Sequence, residues 1–237
     1  MNNILILHNK YDNNRKDDAD TLIQVAEISN ALKALNYNVN ISAVSDSISD
    51  IEKLITHHRP QLVFNLVESF CGSDKNQYLI PACLETLGVA YTGCPSSALF
   101  LSSDKVTAKR IMFGSNIPTP AYFDDNFLSG DISESTKIIV KSKTEHASFG
   151  IDSGSVVVGA TAAHNLIQKK MQMLGGLWMA EQYIEGREFN VSVIGTQSLP
   201  KILPLAEIIF TDFAEGVPKI VDYSAKWNHQ SHGYNNT

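Results

Sequence analysis

Between residues 4 and 67 three short apolar runs alternate with two segments of helical period, and this alternation narrows the fold more than any other feature of the chain. Residues 4–7 form a four-residue apolar run, read as a strand. In the following segment Ala19, Leu22, Ile23, Ala26, Leu32 and Leu35 recur at three- and four-residue steps behind Asp17 and Asp18, which suit the N-terminal cap of a helix. Residues 38–44 read as a second strand, residues 48–58 as a helix with Ile51, Leu54 and Ile55 inward, and residues 61–67 as a third strand. Strands separated by helices pair in parallel, because each return needs a long crossover. The prediction is a Rossmann-like parallel sheet with helices on both faces.

Residues 78–87 then form a helical stretch closed by Gly88, followed by a short strand at 89–91 and the turn Thr92-Gly93-Cys94-Pro95. Residues 96–115 are helix-rich and end at Asn116-Ile117-Pro118-Thr119-Pro120, where two prolines favour extended backbone. From Ala121 the texture turns to strands: 137–141, 155–158 and 177–183, with a helix at 162–174 ending in Gly175-Gly176. Residues 188–194 and 202–209 read as antiparallel neighbours joined by a turn at 195–198, and residues 228–237 read as a polar segment without regular structure. The fold class is therefore α/β, with a Rossmann-like domain at 1–95 followed by an α+β region divided into 96–184 and 185–237.

A 43% hydrophobic content over 237 residues supports more than one packed core. The 19 Lys and Arg against 25 Asp and Glu give a net charge of -6, and no basic run is interleaved with aromatics, which argues against nucleic acid. A basic leader and an apolar stretch of the ~18 residues that a membrane span needs are both lacking, so no membrane partner and a cytoplasmic location are expected. Cys71, Cys83 and Cys94 are odd in number without CxxC spacing and read as reduced thiols. His229 and His232 are spaced like metal ligands but sit in a polar tail and read as solvated; no residue of the chain is expected to ligate a metal. Neither GxxxxGK[ST] nor GxGxxG occurs.

Four segments carry the chemical signal. A lysine within an apolar strand costs free energy unless its ammonium meets an anion, which singles out Lys141 at the end of Ile138-Ile139-Val140-Lys141. The loop behind it contains Ser148 and Gly150, which are small enough for backbone N–H groups to approach phosphate oxygens; an edge lysine beside a hairpin turn is the alternative. Lys105, in Ser103-Asp104-Lys105-Val106-Thr107, reads by itself as a solvated helix face. In Glu181-Gln182-Tyr183-Ile184-Glu185-Gly186-Arg187-Glu188, Glu181 and Gln182 offer polar groups at a strand edge, Tyr183 and Ile184 offer apolar contact, and Glu188 projects after the turn. Lys226, in Asp222-Tyr223-Ser224-Ala225-Lys226-Trp227, is the fourth; it reads by itself as a loop lysine.

Taken in order, these segments resemble those of the ATP-grasp ligases of the D-alanine–D-alanine ligase type. The pattern E-x-x-I-x-G-x-E-F at 181–189 is the most specific, and residues 62–68 and 81–93 resemble the segments that precede the lysine helix. The resemblance implies ATP as cofactor, with Lys105, Lys141, Ser148, Phe149, Gly150, Glu181, Gln182, Tyr183, Ile184 and Glu188 holding the nucleotide and with Lys226 and Ser148 as catalytic groups at the γ-phosphate. It implies an ADP-forming ligase that makes an acyl-phosphate and then an amide between small amino acids or carboxylates, and it is compatible with a homodimer.

Three departures shape the expectation. The family's glycine- and serine-rich first loop with its glutamate is replaced by His8-Asn9-Lys10-Tyr11-Asp12, which removes the usual pointer to D-alanine. Trp227 stands where the family usually has tyrosine and so lacks a hydroxyl that would help close the loop. The R-x-D and E-x-N motifs, which hold Mg²⁺ in the family, would fall beyond Thr237, so the ATP-grasp domain is expected to be incomplete at its C-terminal end. The alternatives are a nucleotide-binding module or fragment without ligase activity of its own, and a degenerate ligase that only binds a partner.

Overall fold

In a computed structural model of the protein, the described residues are 3–10, 16–124, 127–196 and 199–237. They divide into two compact units, Met1–Thr119 with Lys143–His146, and Pro120–Ser142 with Ala147–Thr237.

The first unit runs β1 (Asn3–Asn9), α1 (Lys16–Ala34), β2 (Asn38–Val44), α2 (Ile48–His58), β3 (Leu62–Leu66), α3 (Leu79–Thr86), α4 (Ser96–Ser102) and α5 (Lys105–Gly114). Its sheet is parallel in the order β2-β1-β3, with Ile6 opposite Ile41 on one side and Phe64 on the other. Side chains alternate across a strand, so β1 serves both faces. Leu5 and Leu7 pack with Val63, with Ile51 and Ile55 of α2 and with Ile80 and Leu84 of α3. Ile4 and Ile6, equally buried, point the other way, and α1 buries Thr21, Val25 and Ser29 at four-residue steps. Each such aliphatic chain contributes about 1.5–3 kcal/mol, and the helices on both faces follow from burying both sides of β1. Asp17 and Asp18, expected as caps, and Tyr11 and Asp12 of the first loop lie outside the residues whose side chains are described.

The strand expected at 89–91 is reduced to one parallel bridge between Val63 and Tyr91. Val63 donates its N–H to Ala90 O and Thr92 donates to Val63 O, after which the chain turns at Gly93, whose φ is 104°. The turn ends pairing before a ladder forms.

The second unit comprises β4 (Tyr122–Asp124), β5 (Phe127–Ser129), β6 (Lys137–Ser142), β7 (Val156–Val158), α6 (Ala160–Leu174), β8 (Trp178–Gln182), β9 (Glu188–Asn190), β10 (Val193–Thr196), β11 (Leu199–Ile202), β12 (Ala206–Ile208), α7 (Tyr223–Trp227) and α8 (His232–Asn235). An antiparallel sheet in the order β5-β4-β8-β6-β7 is covered on one face by α6, where Ile138, Val140, Trp178 and Ala180 pack on Ala163 and Ile167. The two long strands expected at 188–194 and 202–209 are instead two short antiparallel pairs, β9 with β12 and β10 with β11. Pro204 has no N–H to give to a ladder and falls in the break between β11 and β12. Gln197 and Ser198 of the predicted turn lie outside the described residues. Residues 228–237, expected without structure, contain α8: the Ser231 hydroxyl accepts from Tyr234 N at 3.0 Å and the Asn235 amide donates to Ser231 O at 2.9 Å, so local caps replace the missing apolar face. Among the described residues no helix is long and apolar enough to cross a membrane.

Candidate functional site

The alternation of β6 sorts its residues by face. Ile138, Val140 and Ser142 are buried, with Ile138 and Val140 packed toward α6, while Lys137, Ile139 and Lys141 take the opposite side. On β8 the same rule places Trp178 and Ala180 toward α6 and Met179 and Glu181 on the Lys141 side. Lys141 faces Met179 in the register and Ile139 faces Glu181. Lys141 and Glu181 are thus diagonal neighbours, within reach for long side chains, and the Lys141 ammonium donates to Glu181 Oε1. Their side chains are 23% and 13% exposed. The strand-borne lysine therefore meets an anion, as its setting required, and in this structure the anion is Glu181. Glu181 was expected at a strand edge; it lies in a strand flanked by β4 and β6, because Tyr122 pairs beside it.

The loop after β6 turns sharply: Ala147, Ser148 and Gly150 have φ of 54°, 59° and 64°. At Gly150 a Cβ would stand 2.5 Å from Trp178 Cη2 and 2.8 Å from Leu174 Cδ1, so glycine is required by contact as well as by conformation. Three bonds fasten this loop to the segment carrying Lys226. The Ser148 hydroxyl donates to Val221 O at 2.7 Å, Tyr223 N donates to Ile151 O at 3.1 Å, and the Trp227 indole N–H donates to Ala147 O at 3.3 Å. Trp227, which lacks the tyrosine hydroxyl, supplies a donor of its own to the same closure. Lys226 sits on α7, a short helix capped by Asp222, whose side chain accepts from Ala225 N at 2.7 Å, rather than on an open loop. The clasp joins the Ser148 loop to the segment that carries Lys226, and the Phe149 ring lies tilted at 6.3 Å from that of Trp178. Among the described residues the amides of Ser148, Phe149 and Gly150 have no backbone partner, which leaves three N–H groups in one turn.

β8 ends at Gln182. Gln182 N donates to Ala121 O and Tyr183 N to Lys137 O, at 2.8 and 2.9 Å. These two amides are used within the sheet, and the exposed Ile184 follows them. The Tyr183 hydroxyl donates to Lys219 O at 3.1 Å, and burial pushes its phenol up from the ordinary value. Glu188 is exposed on β9 opposite Ile208. Nearby, Arg187 grips Glu207 through two bonds of 2.7 Å, which holds the Glu207 carboxyl below its ordinary value.

Lys105 belongs to the first unit. It opens α5 behind Asp104, whose carboxylate accepts from Thr107 N at 2.9 Å, and its ammonium donates to Glu145 O at 2.8 Å. A helix-face solvent contact does not describe it.

Two clefts flank the second unit's candidate residues. One of about 900 Å³ is bounded by Lys137, Tyr183, Glu185, Arg187 and Phe213; the other, about 550 Å³, by Phe149, Gly150, Ile151, Lys170, Leu174 and Tyr223. Neither contains Lys141 or Glu181. The clefts and the buried ion pair lie in different places. Among the described residues no group of three His, Cys, Asp or Glu side chains is placed to hold a metal ion.

Sequence reasoning missed Lys170. It is 6% exposed on α6, on the stripe that buries Ala163 and Ile167, and its ammonium contacts Gly150 O, Ser155 Oγ and Asp152 Oδ2. A lysine at a three-residue step on a buried stripe was the available signal.

The layout of both units, a parallel sheet followed by an antiparallel sheet under one helix, matches solved ligases. The D-alanine–D-alanine ligase of Bacillus anthracis complexed with ATP superposes with a TM-score of 0.60 at 14% identity, covering 87% of this chain and 72% of that one. The chain has a D-alanine–D-alanine ligase-like ATP-grasp fold. Curated relatives of that ligase-like type include the D-alanine–D-alanine ligase of Pelotomaculum thermopropionicum, 29% identical over 227 residues that span 90% of this chain and 66% of that protein. The D-alanine–D-alanine ligase of a Caulobacter species is 29% identical over 185 residues, 77% of this chain and 54% of its own length. No family model matches the chain. The chain spans about half the length of the first curated relatives it matches.

Proposed function

We propose that the second unit binds the triphosphate of ATP on the Lys141 face of its antiparallel sheet, and that the chain serves an ADP-forming carboxylate–amine ligase acting on small amino acids or carboxylates. The observation that carries this reading is the Lys141–Glu181 pair: a half-buried ammonium held ready by a carboxylate that a phosphate oxygen can replace. When bound, ATP would supply a phosphoryl group to a carboxylate, leaving ADP, and attack by an amine on the activated carboxyl would give an amide with release of phosphate and a proton. Lys141 offsets phosphate charge, and the amides of Ser148, Phe149 and Gly150 donate to phosphate oxygens from a loop that needs no reorganisation. Lys226 adds positive charge from α7, held near Ser148 by the clasp. Gln182, Tyr183 and Ile184 receive the purine and Glu188 the ribose.

The roles assigned to this chain are those of its lysines and backbone amides, with Mg²⁺ accompanying the nucleotide. Within the same reading, residues 1–95, 96–184 and 185–237 serve as the Rossmann-like domain and the two parts of the ATP-grasp domain. A homodimer and a cytoplasmic setting belong to it as well. The test is ADP release from MgATP in the presence of a panel of D- and L-amino acids. Release that depends on an added amino acid supports the ligase; ATP binding without release under any of them supports a nucleotide-binding module; absence of ATP binding contradicts both.

A further inference from the structure

We propose that Lys170 is a positioning residue that sets the shape of the 147–151 loop and thereby its grip on the phosphates, an inference that rests on the nucleotide reading above. An ammonium has three N–H donors and no acceptor, and Lys170 meets three oxygens: Gly150 O, Ser155 Oγ at 3.0 Å and Asp152 Oδ2 at 3.3 Å. Its charge also lies 5.5 Å over the Trp178 ring. A buried ammonium is tolerated only when its donors are filled, and all three partners lie in the turn from Gly150 to Ser155.

The same turn is fixed from the other side. Ser155 and Asp152 exchange bonds in a capping box, and Gly150 lies so close to Trp178 and Leu174 that it has no room to shift toward the core. Lys170 therefore pins the carbonyl of Gly150 from the α6 side, while the clasp of Ser148 and Ile151 to residues 221–223 pins the loop from the other. In a trans peptide the N–H opposes the C=O, so with Ala147 O held by Trp227 and Ser148 O by Ile151 N the amides of Ser148 and Phe149 face away from those partners, where an anion can take them, and Lys170 holds the end of the same turn at Gly150 O. Lys170 touches no nucleotide in this arrangement and acts through the loop.

The decisive comparison is the affinity for ATP relative to AMP, each titrated with Mg²⁺ into wild type, Lys170→Met and Lys170→Arg. AMP lacks the β- and γ-phosphates that the loop serves, whereas purine and ribose contacts fall on residues 182–188. Lys170→Met is expected to lower the ATP-to-AMP affinity ratio about tenfold or more, the size of a lost charge-assisted bond, with AMP affinity unchanged and Lys170→Arg restoring part of the ratio. An unchanged ratio in Lys170→Met overturns the inference while leaving the nucleotide site standing, and equal loss of ATP and AMP overturns it as well. Wild type that binds neither nucleotide removes the underlying reading and the inference with it. Should Lys170→Met not fold, Asp152→Asn, whose side chain is 65% exposed, reads the same ratio: a fall of about twofold to threefold is expected, and an unaltered ratio overturns the assignment.

Discussion

Lys141 and Glu181 meet diagonally across β6 and β8 on the face of the sheet away from α6, with Met179 and Ile139 completing the register between them. The pair settles an otherwise unfavourable feature of the sequence, a lysine in an apolar strand. It also makes the ammonium available in one place before any ligand arrives.

Glu181→Gln removes the charge partner while keeping the shape. With both side chains less than a quarter exposed, the substitution is expected to cost about 1–3 kcal/mol in urea unfolding without ligand. Saturating MgATP is expected to recover part of that loss, because phosphate replaces Glu181 as the partner of Lys141, so the variant binds the nucleotide more tightly and gains more by mass action. An equal loss with and without MgATP would separate the pair from the nucleotide.

Trp227→Phe keeps an aromatic ring, though a smaller one, and deletes the indole N–H that reaches Ala147 O. Unfolding free energy should fall by about 0.5–1.5 kcal/mol, with weaker MgATP binding as the loop loosens. Equal ATP affinity in calorimetry would mean that the other two bonds of the clasp suffice.

Gly150→Ala places a methyl group 2.5 Å from Trp178 Cη2 at a φ of 64°. Left-handed backbone and overpacking together should cost about 2–4 kcal/mol, seen as a lower urea midpoint. Alanine at Gly72, whose φ is 72° with nothing near its Cβ, carries only the backbone part and should cost less.

In the first unit, Ser96 and Tyr91 donate to the Glu85 carboxylate and hold its pKa below the ordinary value, with the Ser96 side-chain bond the largest cause. Its folded pKa is depressed, so its stabilisation is present above the ordinary glutamate value of about 4.3 and disappears as pH falls through the lower, folded one. Glu85→Gln should therefore lose stability at pH 7 and converge with wild type in acid. Parallel stability curves for the two proteins between pH 3 and 7 would contradict this.

Much of the fold was legible because it rests on periodicity. The spans of β2 and α2 coincide with their predicted ranges, since each has a clean period and polar ends. The break between β11 and β12 is marked by Pro204, but a proline in an apolar run reads equally as an edge strand. The helix α8 rests on side-chain caps by Ser231 and Asn235, which leave no hydrophobic trace. In the candidate site, Lys141 was visible as a misplaced charge. The contacts that hold the 147–151 loop join residues up to 80 apart, such as Trp227 and Ala147, and a single sequence carries no sign of such pairings. Lys170 lay between: its buried position followed from helical period, its three oxygen partners did not.

In the proposed site Lys141 holds phosphate. Calorimetric titration of MgATP into the wild-type protein and into Lys141→Ala tests it most directly. Saturable binding in wild type that weakens at least about tenfold in the variant, as for loss of a charge-assisted contact, is the predicted result. Equal affinity in the two proteins, or no binding by wild type, would contradict it.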